Sequence, residues 1–216
     1  MKFYFREIIL FLLVVIPLVQ LYYLWPSIPD IIPVHYGLSG QADRFDNKSM
    51  LIWLVPLVLL LLYGILALVP RLDPKKRVNY WQGGYYTVRL ASIMFLSIIF
   101  ISYFFSLIGE WNFSRSMPLF IMAFITVLGN YLPIIKPNYF IGVRTPWTLE
   151  SEQVWTMTHR FSGRLWVAGG LIGFLLHILW PDLPFYVSIG LIVLLAVSSV
   201  TYSYLAYRNI ASQIKD

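Results

Sequence analysis

The chain of 216 residues contains no cysteine. That excludes disulfides, thiolate metal sites and cysteine nucleophiles. Histidine is sparse, with three copies in the chain, and no second His or Cys stands at ligand spacing from His35. Charge is scarce too: 12% of residues are charged, against roughly 25% in a soluble domain. So little polar surface does not cover a globule in water, and part of the solvent must be lipid. Several catalytic signatures are also missing. There is no G-x-S-x-G, no H-E-x-x-H, no phosphate-binding P-loop and no dinucleotide fingerprint.

Apolar residues are abundant, at 59% of the chain, and mean hydropathy is +0.72. A hydrocarbon core about 30 Å thick needs about 20 apolar residues in a helix. Six windows qualify: about 5–24, 51–69, 88–108, 117–135, 165–180 and 185–207. The first window runs into Gln20-Leu21-Tyr22-Tyr23 without a small-x-small cleavage site, so it reads as an uncleaved span. No internal repeat or low-complexity linker appears. The expectation is an all-α, polytopic transmembrane helical bundle. Residues 1–70 would form a two-span part with an outer loop, and residues 71–216 a four-span part.

The net charge of +6 fits basic residues retained on one side of a membrane. Thirteen Lys and Arg fall in segments assigned to one side and three, Arg44, Lys48 and Arg115, to the other. The bias predicts both termini inside the cell. Tyr22, Tyr23, Trp25, Trp111 and Trp180 flank span ends, where rings with wet tips sit well. Lys75, Lys76 and Arg77 suit anionic headgroups, and Tyr80, Trp81, Tyr85 and Tyr86 predict an interfacial helix. The basic run is short and abuts the bilayer, so no direct nucleic-acid role is expected.

Pro17 and Pro56 lie inside spans, where a lost backbone bond kinks or loosens a helix. Between the first two spans, Pro26, Pro29 and Pro33 oppose a helix. That loop predicts an extended segment, then turns, then a helical lead-in. His35 has three readings there: a histidine bonding its own loop, a recognition contact, or a metal ligand if His177 and Asp182 meet it.

A second polar segment, Asn138 to Arg164, separates the fourth and fifth windows. Asn138 suits a turn, Gly142 and Pro146 bracket Arg144, and Trp147 follows. Thr148 is the expected N-cap of a three-turn helix, with Glu150 and Glu152 near its first turn. Trp155 and His159 are four apart and share a face. Arg160 and Arg164 form a second row, and Gly163 loosens the helix end. Glu150 and Glu152 are placed to pair with Arg144 or Arg160. Ser162 is within reach of His159, but no nucleophile motif surrounds it. Structural anchoring and a recognition surface are both open for this segment.

Two stretches carry a family resemblance. "IPDIIPVHYGLSGQADRFDNKS" has prolines, a His-aromatic pair, a glycine-rich turn and a basic residue, here Arg44. It resembles a segment after the first span of a membrane domain of unknown function. "KPNYFIGVRTPWTLESEQVWTMTHRFSGRLWVAGG" resembles the signature of the SdpI family of toxin-immunity proteins. The matching positions are Pro137, Asn138, Gly142, Arg144, Thr145, Pro146, Trp147, Thr148, Val154, Trp155, Thr158, His159, Arg160 and Gly163.

The resemblance implies a non-catalytic membrane protein, without cofactor or metal, that protects a cell from a secreted peptide toxin. It also implies a receptor that holds a cytoplasmic transcriptional repressor. The candidate binding residues are His35 and Arg44 outside, with Asn138, Arg144, Trp147, Trp155, His159 and Arg160 inside. Arg144 and Arg160 would supply donors, Trp147 and Trp155 apolar anchors, and His159 an orienting or switching hydrogen bond. The alternative is a membrane enzyme or small-solute transporter with a polar cavity near His159 or His177. Few ionisable residues lie inside the windows, which argues against a proton or ion path.

Overall fold

In lipid, backbone N–H and C=O groups must find partners within the protein, so long apolar runs become helices. The computed structural model describes residues 2–74 and 83–213. Six of its helices are long and apolar enough to cross a membrane. They are α1 (Lys2–Leu24), α2 (Leu51–Leu72), α3 (Gly83–Leu107), α4 (Phe113–Tyr131), α6 (Glu152–Leu179) and α7 (Phe185–Gln213). A five-residue helix, α5 (Pro146–Glu150), precedes α6. Lys75, Lys76, Arg77, Tyr80 and Trp81, the core of the expected interfacial helix, lie outside the described residues. Tyr85 and Tyr86 belong to the first turns of α3.

The extended segment after α1 is a two-stranded antiparallel hairpin, β1 (Ile31–Tyr36) and β2 (Ala42–Asn47). Arg44 sits opposite His35 across irregular register. Gly40 takes a positive φ of 84° in the connecting turn, a conformation glycine adopts without Cβ strain. The helical lead-in is one 3-10 turn, Lys48–Met50. The hairpin is tied to two distant helices. The Tyr103 hydroxyl donates to the Pro33 carbonyl at 2.6 Å, and the Tyr186 N–H donates to the Leu38 carbonyl at 3.1 Å. Within β1, Ile32 is fully buried.

These ties put the hairpin, the α3–α4 turn and the α6–α7 turn at one end of the bundle, the hairpin end. The α4–α6 connection, with α5, lies at the other. α1 and α2 run through Pro17 and Pro56 as uninterrupted helices.

The fifth span differs most from expectation. A separate three-turn helix followed by a span at 165–180 does not occur. Both are one helix of 28 residues, about 42 Å at about 1.5 Å per residue. That exceeds a hydrocarbon core of about 30 Å, so the polar first turns reach past the core. Gly163 does not end the helix. A Cβ there would meet Pro133 and the Gly129 carbonyl, and one at Gly170 would meet Thr126 and Met122 backbone. The small residues bring α4 and α6 into backbone contact, the membrane route to van der Waals packing. Phe95 stacks on Phe124 between α3 and α4, and Phe161 on Tyr202 between α6 and α7.

Ionisable groups inside the bundle are paired. Arg89, 1% exposed, meets Glu7 through two bonds of 2.7 and 3.2 Å. The Tyr63 hydroxyl donates to the same carboxylate at 3.0 Å. This cluster joins α1, α2 and α3 within the spans.

Candidate functional site: a histidine-latched loop and a polar hairpin

The polar segment after α4 is ordered from its own side chains. Asn138 is 1% exposed and uses both ends of its amide. Oδ1 accepts from the N–H groups of Phe140 and Ile141, each at 2.8 Å. Nδ2 donates to the carbonyls of Lys136 and Ile141 at 2.8 and 3.2 Å. One residue thus closes the turn, as asparagine commonly does.

The N-cap assignment to Thr148 is corrected. Thr145 caps α5 in a reciprocal capping box with Thr148, and Ser151 caps α6 by accepting from the Val154 N–H. Two caps are needed because the chain turns between the short helix and the long one. Each supplies an oxygen to an orphan N–H. Thr148 is the third residue of α5, and its hydroxyl donates to the Val143 carbonyl.

Trp155 and His159 share a face, as their spacing predicts. Their rings are 4.0 Å apart and 17° from parallel. The Trp155 indole N–H donates to the Ile135 carbonyl at 2.8 Å. His159 Nδ1 lies 2.8 Å from the Trp155 carbonyl, and the Val143 N–H points at Nε2 from 3.1 Å. A carbonyl only accepts, so Nδ1 carries the proton and Nε2 accepts. That is the neutral ring in one tautomer, with both nitrogens used. Gly142 lies against the imidazole with φ 113°, and a Cβ would overlap Nε2. The histidine therefore holds the loop's backbone against α6.

Ser162 is buried beside this face, and its hydroxyl has no hydrogen-bond partner among the described residues. His159 is engaged elsewhere, so the serine–histidine contact considered from spacing is not formed. Thr158 has a likewise unpartnered buried hydroxyl.

The remaining candidates of the segment divide by exposure. Trp147 is half-buried and donates to Ser203 Oγ at 2.7 Å, with Tyr204 and Tyr207 around its ring. Thr145 reaches the same serine at 3.3 Å. Ser203 on α7 was not singled out from sequence; a serine four residues after Ser199 in an apolar helix was the available signal. Arg144 is exposed, and its guanidinium donates to the Tyr139 carbonyl at 2.6 Å. Arg160 and Arg164 are exposed on the same side of α6. A cavity of about 350 Å³ lies behind the loop, lined in part by Gly142, Arg144, Thr145, Trp166 and Ser199.

At the hairpin end, His35 Nδ1 meets Asp43 Oδ1 at 2.6 Å, both side chains about half exposed. His35 thus bonds its own loop. His177 and Asp182 do not join it. His177 is buried with Nε2 2.6 Å from Ser188 Oγ, and Asp182 pairs with Arg115 at 2.6 Å. Their helices carry them to different partners. No group of three or more His, Asp or Glu placed to hold a metal occurs among the described residues. Arg44 is exposed on β2. Burial holds the Tyr36 phenol above its usual range, and a hydrogen bond with Ser106 opposes that shift. A cavity of about 410 Å³ lies below the hairpin, between it and α2, α3 and α4.

Comparison with known proteins agrees with this layout. Residues 134–204 match the model of the SdpI/YfhL protein family. Residues 12–60 match a domain of unknown function, DUF1648. The chain is 26% identical over 206 residues to the Immunity protein SdpI of Bacillus subtilis (strain 168). That alignment covers 95% of this chain and 97% of the relative. No solved structure gives a significant match. The matched family is not a known enzyme family. The signature residues, the latched loop and the near full-length alignment agree: this multi-pass membrane protein is similar to the SdpI family, most directly over residues 134–204, and to DUF1648 over residues 12–60.

Proposed function

We propose that the chain is an integral membrane immunity protein protecting its cell against a secreted peptide toxin. The observation that carries this reading is the alignment with an immunity protein over 95% of the chain. The two-part division at residues 1–70 and 71–216, with both termini inside, belongs to the same proposal. In that orientation the hairpin, with His35 and Arg44, faces outward. The Asn138–Arg164 segment faces the cytoplasm, where basic residues accumulate.

Within that segment the residues take two roles. Asn138, Trp155 and His159 are buried and act as positioning residues that hold the loop. Arg144 and Arg160 are exposed and are the contact residues for a cytoplasmic partner, with Trp147 fixing the loop to α7. A transcriptional repressor held at this face is the finer reading, and Arg guanidinium donors on a fixed platform suit acidic or carbonyl-rich surfaces. The enzyme or transporter alternative is not favoured. His159 has both nitrogens bonded within its own scaffold, His177 is buried against Ser188, and neither lines the two cavities described above.

The test is deletion of the gene in its native host, followed by complementation. Loss of resistance to the host's own secreted peptides, restored by wild type, supports immunity; unchanged sensitivity sinks it. Arg144→Ala with Arg160→Ala should preserve membrane level and reduce recruitment of a cytoplasmic partner in a membrane pull-down. Unaltered recruitment removes these two residues from the contact.

A further inference from the structure

We propose that the cavity beneath the hairpin receives apolar side chains of a cationic secreted peptide, so that it is the toxin-reading site. This rests on the immunity reading above. The cavity holds about 410 Å³, within the range of sites that take small ligands. Its lining is mostly apolar, and its few polar residues stand at the hairpin end. His35, Gly40 and Ser114 lie at the hairpin end, in the hairpin itself or the first turn of α4. Leu54 lies in the first turn of α2, and Ile99 and Met117 lie deeper, at least one helical turn inside α3 and α4. A peptide with a hydrated backbone and large apolar side chains matches that lining.

The roof is a separate element. The hairpin crosses from α3 to α7 on the Tyr103–Pro33 and Tyr186–Leu38 hydrogen bonds. An object wedged beneath it would press on both helices. α7 also carries Ser203, which holds Trp147 and Thr145 of the opposite loop. A single long helix therefore touches both the roof and the latched loop.

Charge selects the occupant. Around the hairpin end stand five carboxylates, Asp30, Asp43, Asp46, Glu110 and Asp182, against three cations, Arg44, Lys48 and Arg115. Asp43 is held by His35, Asp30 by Lys48 and Asp182 by Arg115, each carboxylate at a half-exposed or exposed position, where a ligand ammonium exchanges in at little cost. An excess of carboxylate raises the local concentration of cationic peptide. It disfavours anionic lipid headgroups at this end of the bundle.

The experiment uses host cells lacking the gene, complemented with wild type, Leu54→Trp, Ile99→Trp or Leu60→Trp. Leu60 is 53% exposed on α2, away from the cavity lining, and serves as control. Cells are challenged with serial dilutions of the host's concentrated culture medium, and membrane levels are measured by immunoblot. Filling the cavity should lower the protective dilution at least tenfold at unchanged membrane level, with Leu60→Trp like wild type. Equal protection by the filled variants overturns the assignment while leaving immunity intact. No protection by wild type defeats the immunity reading, and the peptide occupant with it.

Because the chain has no native cysteine, Met117→Cys gives a second readout that survives misfolding of the tryptophan variants. Its labelling by a water-soluble maleimide should slow several-fold in the same medium. Labelling indifferent to the medium but faster after delipidation assigns the cavity to a lipid chain and overturns the proposal.

Discussion

Trp155 and His159 lie face to face with centroids 4.0 Å apart, and each ring binds a different part of the preceding loop. Trp155 takes the Ile135 carbonyl and His159 takes the Val143 N–H. Two residues one turn apart on α6 thereby hold both ends of a nine-residue stretch of irregular backbone, Ile135 to Val143. His159→Ala orphans the Val143 N–H, which costs about 1–3 kcal/mol when buried. Detergent-solubilised His159→Ala should unfold at lower temperature, and trypsin should cut faster after Arg144. Wild-type cleavage rates would show that the ring does not hold the loop.

Gly142 adds a second handle on the same contact. An alanine there suffers both its positive φ, about 1–2 kcal/mol, and overlap with the imidazole. Gly142→Ala should therefore be destabilising, and less so in the His159→Ala background, where the overlap is gone. A double-mutant cycle by thermal unfolding measures this; strict additivity argues against direct contact.

The Arg89–Glu7 pair should behave as a buried ion pair. Glu7→Gln alone leaves the Arg89 charge without its carboxylate, at a cost of about 3–5 kcal/mol. Glu7→Gln combined with Arg89→Met should recover most of that loss. If the double variant is as unstable as the sum of the singles, the pair is not the unit that joins α1 to α3.

Glycine positions offer a contrast. Gly170→Leu should disrupt the α4–α6 interface, where a Cβ already meets the Met122 and Thr126 backbone. Gly64→Ala and Gly190→Ala face open space and should be neutral or slightly stabilising in a helix. Expression level and melting temperature read both, and equal tolerance at all three would mean that α4 and α6 do not pack this closely.

Topology is accessible through the missing cysteine. Leu38→Cys, at the exposed hairpin tip, should react with an impermeant maleimide on intact cells. Arg160→Cys should react only after permeabilisation. The reverse pattern would invert the orientation.

Much of the fold could be read from hydropathy, because span length is set by bilayer thickness and backbone satisfaction rather than by detail. The α2 and α7 windows begin at the observed first residues. The fifth window started thirteen residues late, since Arg160, Arg164 and His159 suppress hydropathy where the helix still continues. The hairpin was legible as extended chain from its prolines. Its pairing of His35 with Asp43 was not, because an irregular register shifts which side chains face each other.

The sequence by itself determined six apolar spans, the basic bias toward one end, and the shared face of Trp155 and His159, all local or additive properties. It could not divide the signature into holding and exposed residues. That division depends on neighbours brought in from other elements. Gly142 closes on His159, Ser203 of α7 accepts from Trp147, and Asn138 closes its own turn under cover of the bundle. Burial and hydrogen bonding across elements are decided by packing. Only the tertiary structure shows that the three residues holding the loop are inside while Arg144 and Arg160 remain in reach of a partner.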